Sequence, residues 1–370
     1  MKKFILSAVI LTILMAACTD SKKYTLTGHI PNNKLDGKTL YMHDHPRINM
    51  GTVIDSAVVS NGTFTFAGTV PDTISVRAIF LDTQAIPYTF VEEEGNIEMT
   101  IDNDYRMTLK GGGQVTQSYQ QFKDSINALY DELSKLKDEK VKQEKGGNFG
   151  LSEYKEWKAK CDNISEQIEG ILYSFVQRNS QNQLGEFVFD NEGYFLSPDK
   201  QLSLLSEFRN HYKDSERNAK KKKYMENSIA TGNGKPYQEI RGFDWNKNPV
   251  ALSDYAGKGN VVLIDFWSSF SDTHEQDLPQ LKEIYNKYKD KGLSILGVSL
   301  DVSLYNWKEA AEDGGMVWPQ LSNLRGWDEY GAETYGVRFI PRMVLIGKDG
   351  NILEHNITVD ELQYRLEEIL

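Results

Sequence analysis

The sequence predicts a multidomain α+β protein: an N-terminal antiparallel β-sandwich or barrel, a central helical region and a C-terminal α/β domain. Three patterns indicate this division. Short runs of alternating polar and apolar residues fill residues 24–110, and apolar residues at three- and four-residue spacing dominate 114–230. Strand-like and helix-like runs then alternate across 234–370. A chain of 370 residues is long enough for two or three such domains.

The N-terminus has the composition of an export signal. Lys2 and Lys3 precede an apolar run over residues 4–15, which is shorter than the ~20 residues needed to cross a bilayer. Small residues then lead to Cys18, and this segment resembles a lipobox, whose cysteine becomes the lipidated N-terminus of the mature protein. The resemblance implies a signal peptide over residues 1–18 and a lipid anchor on Cys18. The alternative is an ordinary cleaved signal in which Cys18 has no role.

The predicted β domain spans residues 24–110. Asn61-Gly62 lies between two runs of alternating polarity and predicts a hairpin, because both residues accept the positive φ of a type I′ turn. The stretch from Ile54 to Phe66 resembles an uncharacterised β domain of envelope lipoproteins, and that resemblance brings no known activity. Strands are predicted at residues 24–30, 63–66, 74–81, 88–92 and 96–101.

His43 and His45 flank Asp44, and alternate positions of a strand share one face. A zinc site is therefore an alternative at this point. Two histidines without an identified third ligand are weak evidence for zinc. We predict a surface pair and no metal site.

The central region, residues 114–230, is predicted to be a helical spacer. Apolar residues between Val115 and Leu136 recur in steps of four and three, and such a seam needs a partner helix. Residues 152–178 carry a matching stripe, so we predict an internal hairpin with residues 137–150 as its turn or frayed loop. Coiled association with a second copy is the alternative.

Other features of this region have local explanations. Cys161 lies in the apolar stripe of the second helix and is predicted to be buried in its core. Ser197 and Pro198 predict the start of another helix, with serine as N-cap and proline at the first helical position. The lysines at 220–223 are predicted to lie on a solvated helix face or linker, because the chain carries a net charge of −11. This acidic balance also disfavours nucleic acid as a partner.

The C-terminal region, residues 234–370, has the element order β-α-β-α-β-β-α. Apart from Asp265, residues 261–266 form the continuous apolar run of a buried central strand. The segment 261–274 is similar to the strand-to-helix turn of the thioredoxin fold, normally written DFWAxWCxxC. The whole region resembles the TlpA/ResA type of membrane-anchored thioredoxin-like proteins. Further landmarks of that family occur in order at Trp318-Pro319, Tyr335-Gly336 and Ile340-Pro341.

The resemblance implies a thiol–disulfide oxidoreductase, but Ser271 stands where that family has its attacking cysteine and His274 where it has the resolving one. A thiolate at a helix N-terminus attacks disulfides at neutral pH because free N–H groups and the helix dipole stabilise it. A serine hydroxyl forms no disulfide. The two cysteines of the chain, Cys18 and Cys161, are distant from this turn in sequence. The domain is therefore predicted to be redox-inactive, with no catalytic residue and no cofactor.

The resemblance also implies a binding groove beside the turn. In this family the proline of Ile340-Pro341 is cis and faces the turn, and the preceding residue's backbone pairs with an extended peptide. The alternative is that Pro341 only shapes a turn. Phe270 replaces the family's tryptophan, and Arg342 replaces its usual threonine. The predicted groove consists of Phe270, Ser271, Asp272, Thr273, His274, Ile340, Pro341 and Arg342.

Asp265 lies six residues before Ser271, where the family keeps a buried acid that assists the resolving thiol. A buried carboxylate must be paired or protonated, so His274 is predicted to be its partner. The same three residues raise the alternative of a Ser/His hydrolase triad with an oxyanion site. We favour Ser271 as the N-cap of the following helix, its oxygen accepting backbone N–H bonds.

These features together predict an envelope lipoprotein that binds and does not catalyse. Its expected partners are the membrane, through the lipid on Cys18, and an envelope polypeptide held as an extended segment. Thiol–disulfide exchange is the alternative function. Thr19 follows Cys18 directly and Asp20 comes next. Because an aspartate immediately after the lipid cysteine retains a protein in the inner membrane, this order favours the outer membrane, facing the periplasm.

Overall fold

The computed structural model describes residues 22–33, 35–45, 51–81 and 87–370. The predicted signal peptide and Cys18 lie outside these residues. The chain divides into two compact units, one ending at Gln121 and the other running from Phe122 to Leu370. No helix in the described ranges is long and apolar enough to cross a membrane.

The first unit contains two four-stranded sheets, with strand orders β4-β1-β7-β8 and β3-β2-β5-β6. Tyr24 joins their facing surfaces, since its ring lies 5.7 Å from that of Phe90 and its hydroxyl donates to Glu92. The sandwich prediction is thereby confirmed, whereas the barrel alternative is wrong because the sheets stay separate. The strands are β1 (Lys23–His29), β2 (Thr39–His43), β3 (Val53–Val58), β4 (Thr63–Thr69), β5 (Val76–Leu81), β6 (Tyr88–Val91), β7 (Gly95–Ile101) and β8 (Met107–Gly111).

In this unit, a turn set by adjacent residues was predicted correctly, and a pairing between strands distant in sequence was not. Asn61 and Gly62 have φ values of 50° and 69°, which confirms the predicted turn between β3 and β4. The expectation of a wholly antiparallel domain is wrong, because β1 and β7 pair in parallel. A long connection that passes through the other sheet joins these two strands, so no tight hairpin fixes their relative direction.

His43 is the last residue of β2, and its ring packs edge-on against Phe80 with centroids 4.7 Å apart. The described residues contain no group of three or more His, Cys, Asp or Glu side chains placed to hold a metal ion. The His43–Phe80 contact gives His43 a packing role within the sandwich.

A helical hairpin opens the second unit. The helices α1 and α2 contact through the stacked rings of Phe122 and Phe175, 4.2 Å apart, and through the indole of Trp157, which donates to the carbonyl of Leu136. The predicted loop over residues 137–150 is too long, because α1 continues to Lys145. The helices of this region are α1 (Gln114–Lys145), α2 (Leu151–Arg178), α3 (Gln183–Glu192), α4 (Pro198–Glu207), α5 (Asn210–Lys213) and α6 (Glu216–Ala230).

Three local predictions in these helices need correction. Cys161 is half-buried and not a core residue, because it lies at the border of the buried stripe of α2. Ser197 precedes α4 as predicted, but its hydroxyl bonds Glu169 and not the helix amides. Lys221 is buried and pairs with Asp190, since α6 places it on the inward face that also carries Met225.

The C-terminal part of the second unit is built on a five-stranded sheet of order β13-β12-β11-β14-β15. Strands β11, β12 and β13 run parallel, and β14 is antiparallel to β11 and to β15. One apolar core lies on each face of this sheet. The elements are β9 (Arg241–Phe243), β10 (Pro249–Ala251), β11 (Val261–Trp267), α7 (Asp272–Tyr288), β12 (Leu293–Ser299), α8 (Leu304–Asp313), β13 (Gln320–Leu321), α9 (Tyr330–Thr334), β14 (Arg342–Ile346), β15 (Ile352–Ile357) and α10 (Val359–Ile369).

The α1–α2 hairpin packs against the last helix of this part. The rings of Tyr154 on α2 and Tyr364 on α10 stack with centroids 4.3 Å apart and an angle of 8° between them. Lys155 forms an ion pair with Glu368 at 2.8 Å. The predicted helical spacer therefore packs against α10 as well as on itself, through aromatic and charged contacts.

Candidate functional site

The turn between β11 and α7 is held at both ends by local structure. Every residue of β11 is buried, so this strand is anchored at the centre of the sheet. The hydroxyl oxygen of Ser271 accepts the backbone N–H of His274 at 3.3 Å, which confirms Ser271 as the N-cap of α7. Asp272 is exposed in the first turn, where the positive end of the helix dipole favours a carboxylate. Thr273 beside it is also exposed.

Asp265 and His274 form a buried pair, as predicted. The imidazole Nε2 lies 3.0 Å from Asp265 Oδ2, and the exposed fractions of the two residues are 3% for His274 and 0% for Asp265. The indole of Trp267 stacks on the imidazole with ring centroids 5.1 Å apart. Burial by itself lowers the pKa of His274, but the Asp265 carboxylate outweighs burial and raises that pKa above the usual 6.5.

A second buried carboxylate, Asp301, organises the loop that carries the turn. It accepts hydrogen bonds from the hydroxyls of Ser268 and Ser299 and from the backbone N–H and hydroxyl of Ser269. Asp301 was not predicted from the sequence. The available signal was a carboxylate two residues after the buried parallel strand β12, at the sheet edge where β11 also ends.

The peptide bond between Ile340 and Pro341 is cis, as the resemblance implied. Arg342, the next residue, begins β14 and lies opposite Phe266 in the register with β11. Pro341 is therefore at the same edge of the sheet as the turn after Trp267. Sequence reasoning missed His355 of β15, whose Nδ1 lies 2.9 Å from the guanidinium Nη2 of Arg342.

An open cleft of about 1000 Å³ lies on one side of the turn, between α7 and α8. Ser271 and His274 line it, whereas Ile340, Pro341 and Arg342 are not among its lining residues. The predicted groove residues thus divide between this cleft and the edge that carries the cis peptide.

The loops at the carboxyl edge of the sheet expose several large apolar side chains. Phe270, after β11, is 62% exposed, and Phe339, before the cis peptide, is 52% exposed. Residues of the loops and helices after β12 and β13 are also exposed at this edge of the sheet, and we call the whole set the apolar edge. It consists of Phe270, Val302, Tyr305, Trp327, Tyr330 and Phe339.

These contacts limit the chemistry of the turn. The Ser271 oxygen caps a helix, and the His274 Nε2 is bonded to Asp265, so neither atom matches the serine–imidazole contact that a hydrolase triad requires. Cys161 is a free thiol on α2. The turn itself contains no thiol.

Comparisons with known proteins agree with this architecture. Residues 24–118 match the model of a domain of unknown function (DUF4369), and residues 259–352 match a thioredoxin-like family model. The thiol-disulfide oxidoreductase ResA of Bacillus thuringiensis strain Al Hakam is 32% identical over 129 residues, covering 34% of this chain and 72% of that protein. The ResA protein of Geobacillus thermodenitrificans is 30% identical over 121 residues, covering 32% and 67%.

Among solved structures, the thioredoxin domain of a thiol-disulfide oxidoreductase from Bacteroides vulgatus is similar at 31% identity. It aligns over 37% of this chain and 96% of that domain, with a TM-score of 0.35. The family matches confirm the resemblances of the β domain and of the C-terminal thioredoxin-like domain. Through its C-terminal domain, the chain belongs to the thioredoxin-like family of ResA-type thiol-disulfide oxidoreductases.

Proposed function

We propose that this chain is a binding module of the cell envelope, whose thioredoxin-like domain holds an extended segment of another polypeptide and exchanges no disulfides. The apolar edge is the observation that carries the proposal. Exposed large apolar side chains grouped in this way mark interaction surfaces more often than scattered ones do. Phe270 and Phe339 are aromatic anchors of the kind that dominate binding energy at protein interfaces.

The backbone at Ile340 supports an extended binding mode. It lies at the same edge of the sheet as Phe270, directly before Pro341 and β14. A segment that pairs with the backbone at Ile340 would gain main-chain hydrogen bonds, while the apolar edge would take its side chains. Backbone pairing of this kind favours an extended and otherwise unstructured part of the partner.

Thiol–disulfide exchange is the second candidate, and the comparisons favour it at the level of the family. Exchange proceeds through attack of a thiolate on a disulfide sulfur. Ser271 supplies a hydroxyl at the N-terminus of α7, and burial raises the pKa of the Cys161 thiol, which reduces its thiolate fraction. These two facts support binding over exchange for this particular chain.

The proposal also includes where the protein lies in the cell. Lipid attachment at Cys18 would fix the chain to the outer membrane, facing the periplasm, next to extended segments of other envelope proteins. Metabolic labelling with an alkyne fatty acid should mark the wild type and leave Cys18→Ala unlabelled. Labelling that persists in Cys18→Ala would contradict lipid attachment at Cys18.

Site-specific photocrosslinking in cells tests the binding function. A photoreactive residue in place of Phe270 should capture a discrete polypeptide, and Phe339→Ala, which removes a second exposed ring of the apolar edge, should weaken that capture. The matched control is the same probe at Lys348, an exposed residue in the turn after β14 at the opposite edge of the sheet. Equal capture at both positions, or none at Phe270 in folded protein, would contradict the proposal.

A reductase assay separates the two candidates. We expect the wild type not to accelerate the reduction of insulin disulfides by dithiothreitol above the uncatalysed rate. If the wild type catalyses their reduction and Cys161→Ser abolishes it, exchange is the function of this chain and our proposal is wrong.

A further inference from the structure

Arg342 carries a positive charge that no carboxylate of the described chain compensates. The ion pairs of the second unit do not include it, and its guanidinium bonds one side chain there, that of His355. Its Nε is buried without a hydrogen-bond partner among the described residues. Burial, with no charged neighbour to offset it, lowers the pKa of Arg342 to about 10.

The hydrogen bonds around His355 fix its tautomer and its charge. The Tyr335 carbonyl, 3.0 Å from Nε2, can only accept, so Nε2 carries the proton. The Thr231 hydroxyl donates to the Asn227 carbonyl, so its oxygen is also an acceptor toward Nε2. Nδ1 is then a bare acceptor for Arg342, and burial together with the Arg342 charge lowers the pKa of His355 to about 4. A neutral imidazole therefore holds the guanidinium.

Arg342 keeps part of its surface exposed, beside an exposed aromatic ring. Phe339 lies over the guanidinium at 5.2 Å and is itself half exposed at the apolar edge. The segment from residue 335 to residue 346 contains two cations, Arg338 and Arg342, and no acidic residue, although the chain as a whole has a net charge of −11. The chain segment around Pro341 thus carries only cations within an acidic protein.

We propose that Arg342 is the carboxylate-binding position of the groove: the bound segment presents an acidic side chain or its own C-terminal carboxylate to this guanidinium. The inference rests on the proposed function and adds the chemistry of the ligand. A guanidinium matches a carboxylate with two parallel N–H···O bonds, and a partly buried site strengthens them. A cation held away from water without a counter-charge is costly, so an incoming carboxylate offsets a cost already present in the free protein.

A defined peptide library tests the ligand chemistry. Purified full-length wild type is incubated with immobilised hexapeptides of random sequence, each made with a free and with an amidated C-terminus. We expect bound peptides to be enriched in Asp and Glu, or in free C-termini, and the amidated set tells these two sources apart. The dissociation constant of the best peptide should rise about tenfold in Arg342→Gln, whereas Lys348→Gln, which removes one charge at the opposite edge, should leave it unchanged.

A second measurement tests the site without a peptide. Nitrogen–proton spectra of the arginine Nε–H groups, with the Arg342 signal identified by its loss in Arg342→Lys, are recorded during titration with acetate against a chloride control. The Arg342 signal should shift with acetate and not with chloride. An unshifted signal, or peptide binding without acidic preference, would overturn the inference. Failure of every peptide to bind while acetate still shifts Arg342 would overturn the proposed function and keep the anion site.

Discussion

At the scale of single residues, the turn is organised by two buried carboxylates with different partners. Asp301 accepts bonds from three serines and fixes the loop in front of α7. Asp265 pairs with His274, a residue that can itself carry a charge. A fully buried carboxylate needs such a partner because an unpaired charge is costly away from water. The pair therefore makes the stability of this unit depend on pH.

We expect His274 to stabilise the second unit below neutral pH and to lose that effect as the pH rises. Its pKa in the folded protein is raised above the unfolded value near 6.5, so its contribution is fully present below pH ~6.5 and disappears as the pH rises through the folded pKa. Each unit by which folding raises this pKa corresponds to about 1.4 kcal/mol. The free energy of unfolding of His274→Gln should therefore approach that of the wild type at alkaline pH.

Urea unfolding followed by tryptophan fluorescence measures this effect. All six tryptophans lie between residues 157 and 327, so their emission reports on the second unit alone. His211→Gln is the control, because His211 is largely exposed on α5. Parallel pH profiles for wild type and His274→Gln would rule out a charged His274–Asp265 pair.

At the scale of elements, α10 connects the predicted spacer to the thioredoxin-like domain. Tyr364 of α10 stacks on Tyr154, and its hydroxyl donates to Glu144 of α1. Lys140 of α1 lies between Glu144 and Asp360, at 3.1 Å and 3.4 Å. These contacts explain why α1 continues past its predicted end, since its last turns have partners to pack against.

We expect Tyr154→Ala to lower the free energy of unfolding of the second unit by about 2–3 kcal/mol, because it removes a buried aromatic ring and its stacking contact with Tyr364. Tyr305→Ala, which removes an exposed ring on α8, should cost about 0.5 kcal/mol or less. The double variant Tyr154→Ala/Tyr364→Ala completes a cycle with an expected coupling of about 1 kcal/mol. A coupling energy of zero would mean that the stacked rings of Tyr154 and Tyr364 do not stabilise the packing of α2 on α10.

Element prediction succeeded where the pattern is local. The helix over residues 152–178 is α2 within one residue, and the hairpin at Asn61-Gly62 forms as expected. The hairpin prediction implied a strand before Asn61-Gly62, but the bounds of β3 were not predicted, because nearly all of its residues are exposed. The length of α1 was underestimated because the residues that extend it are polar and their partners lie on α10.

At the scale of the whole molecule, the scaffold of an oxidoreductase family is combined with a turn that has no thiol. The N-terminus of α7 still offers free N–H groups and a helix dipole, which lower the pKa of a cysteine placed there. Asp265 remains beneath it. The scaffold should therefore accept the family's chemistry once the sulfurs are restored.

We expect Ser271→Cys/His274→Cys to form an internal disulfide and to catalyse reduction of insulin, with activity at least tenfold above the uncatalysed rate. Ser271→Cys alone is the matched control, since a single thiol cannot close the intramolecular disulfide. Thiol titration and circular dichroism check disulfide formation and folding. A folded double variant without this activity would show that more than the two cysteines separates this turn from its relatives.

The sequence by itself determined the features that depend on neighbouring residues: the order of elements, the cap of α7 at Ser271 and the absence of thiols from the turn. The tertiary structure alone decided which distant polar atoms meet, as in Asp301 with the serine loop and Arg342 with His355. The physical reason is that periodicity and capping act within one or two turns of chain. Pairing across the sheet depends on strand register and burial, which the whole fold sets.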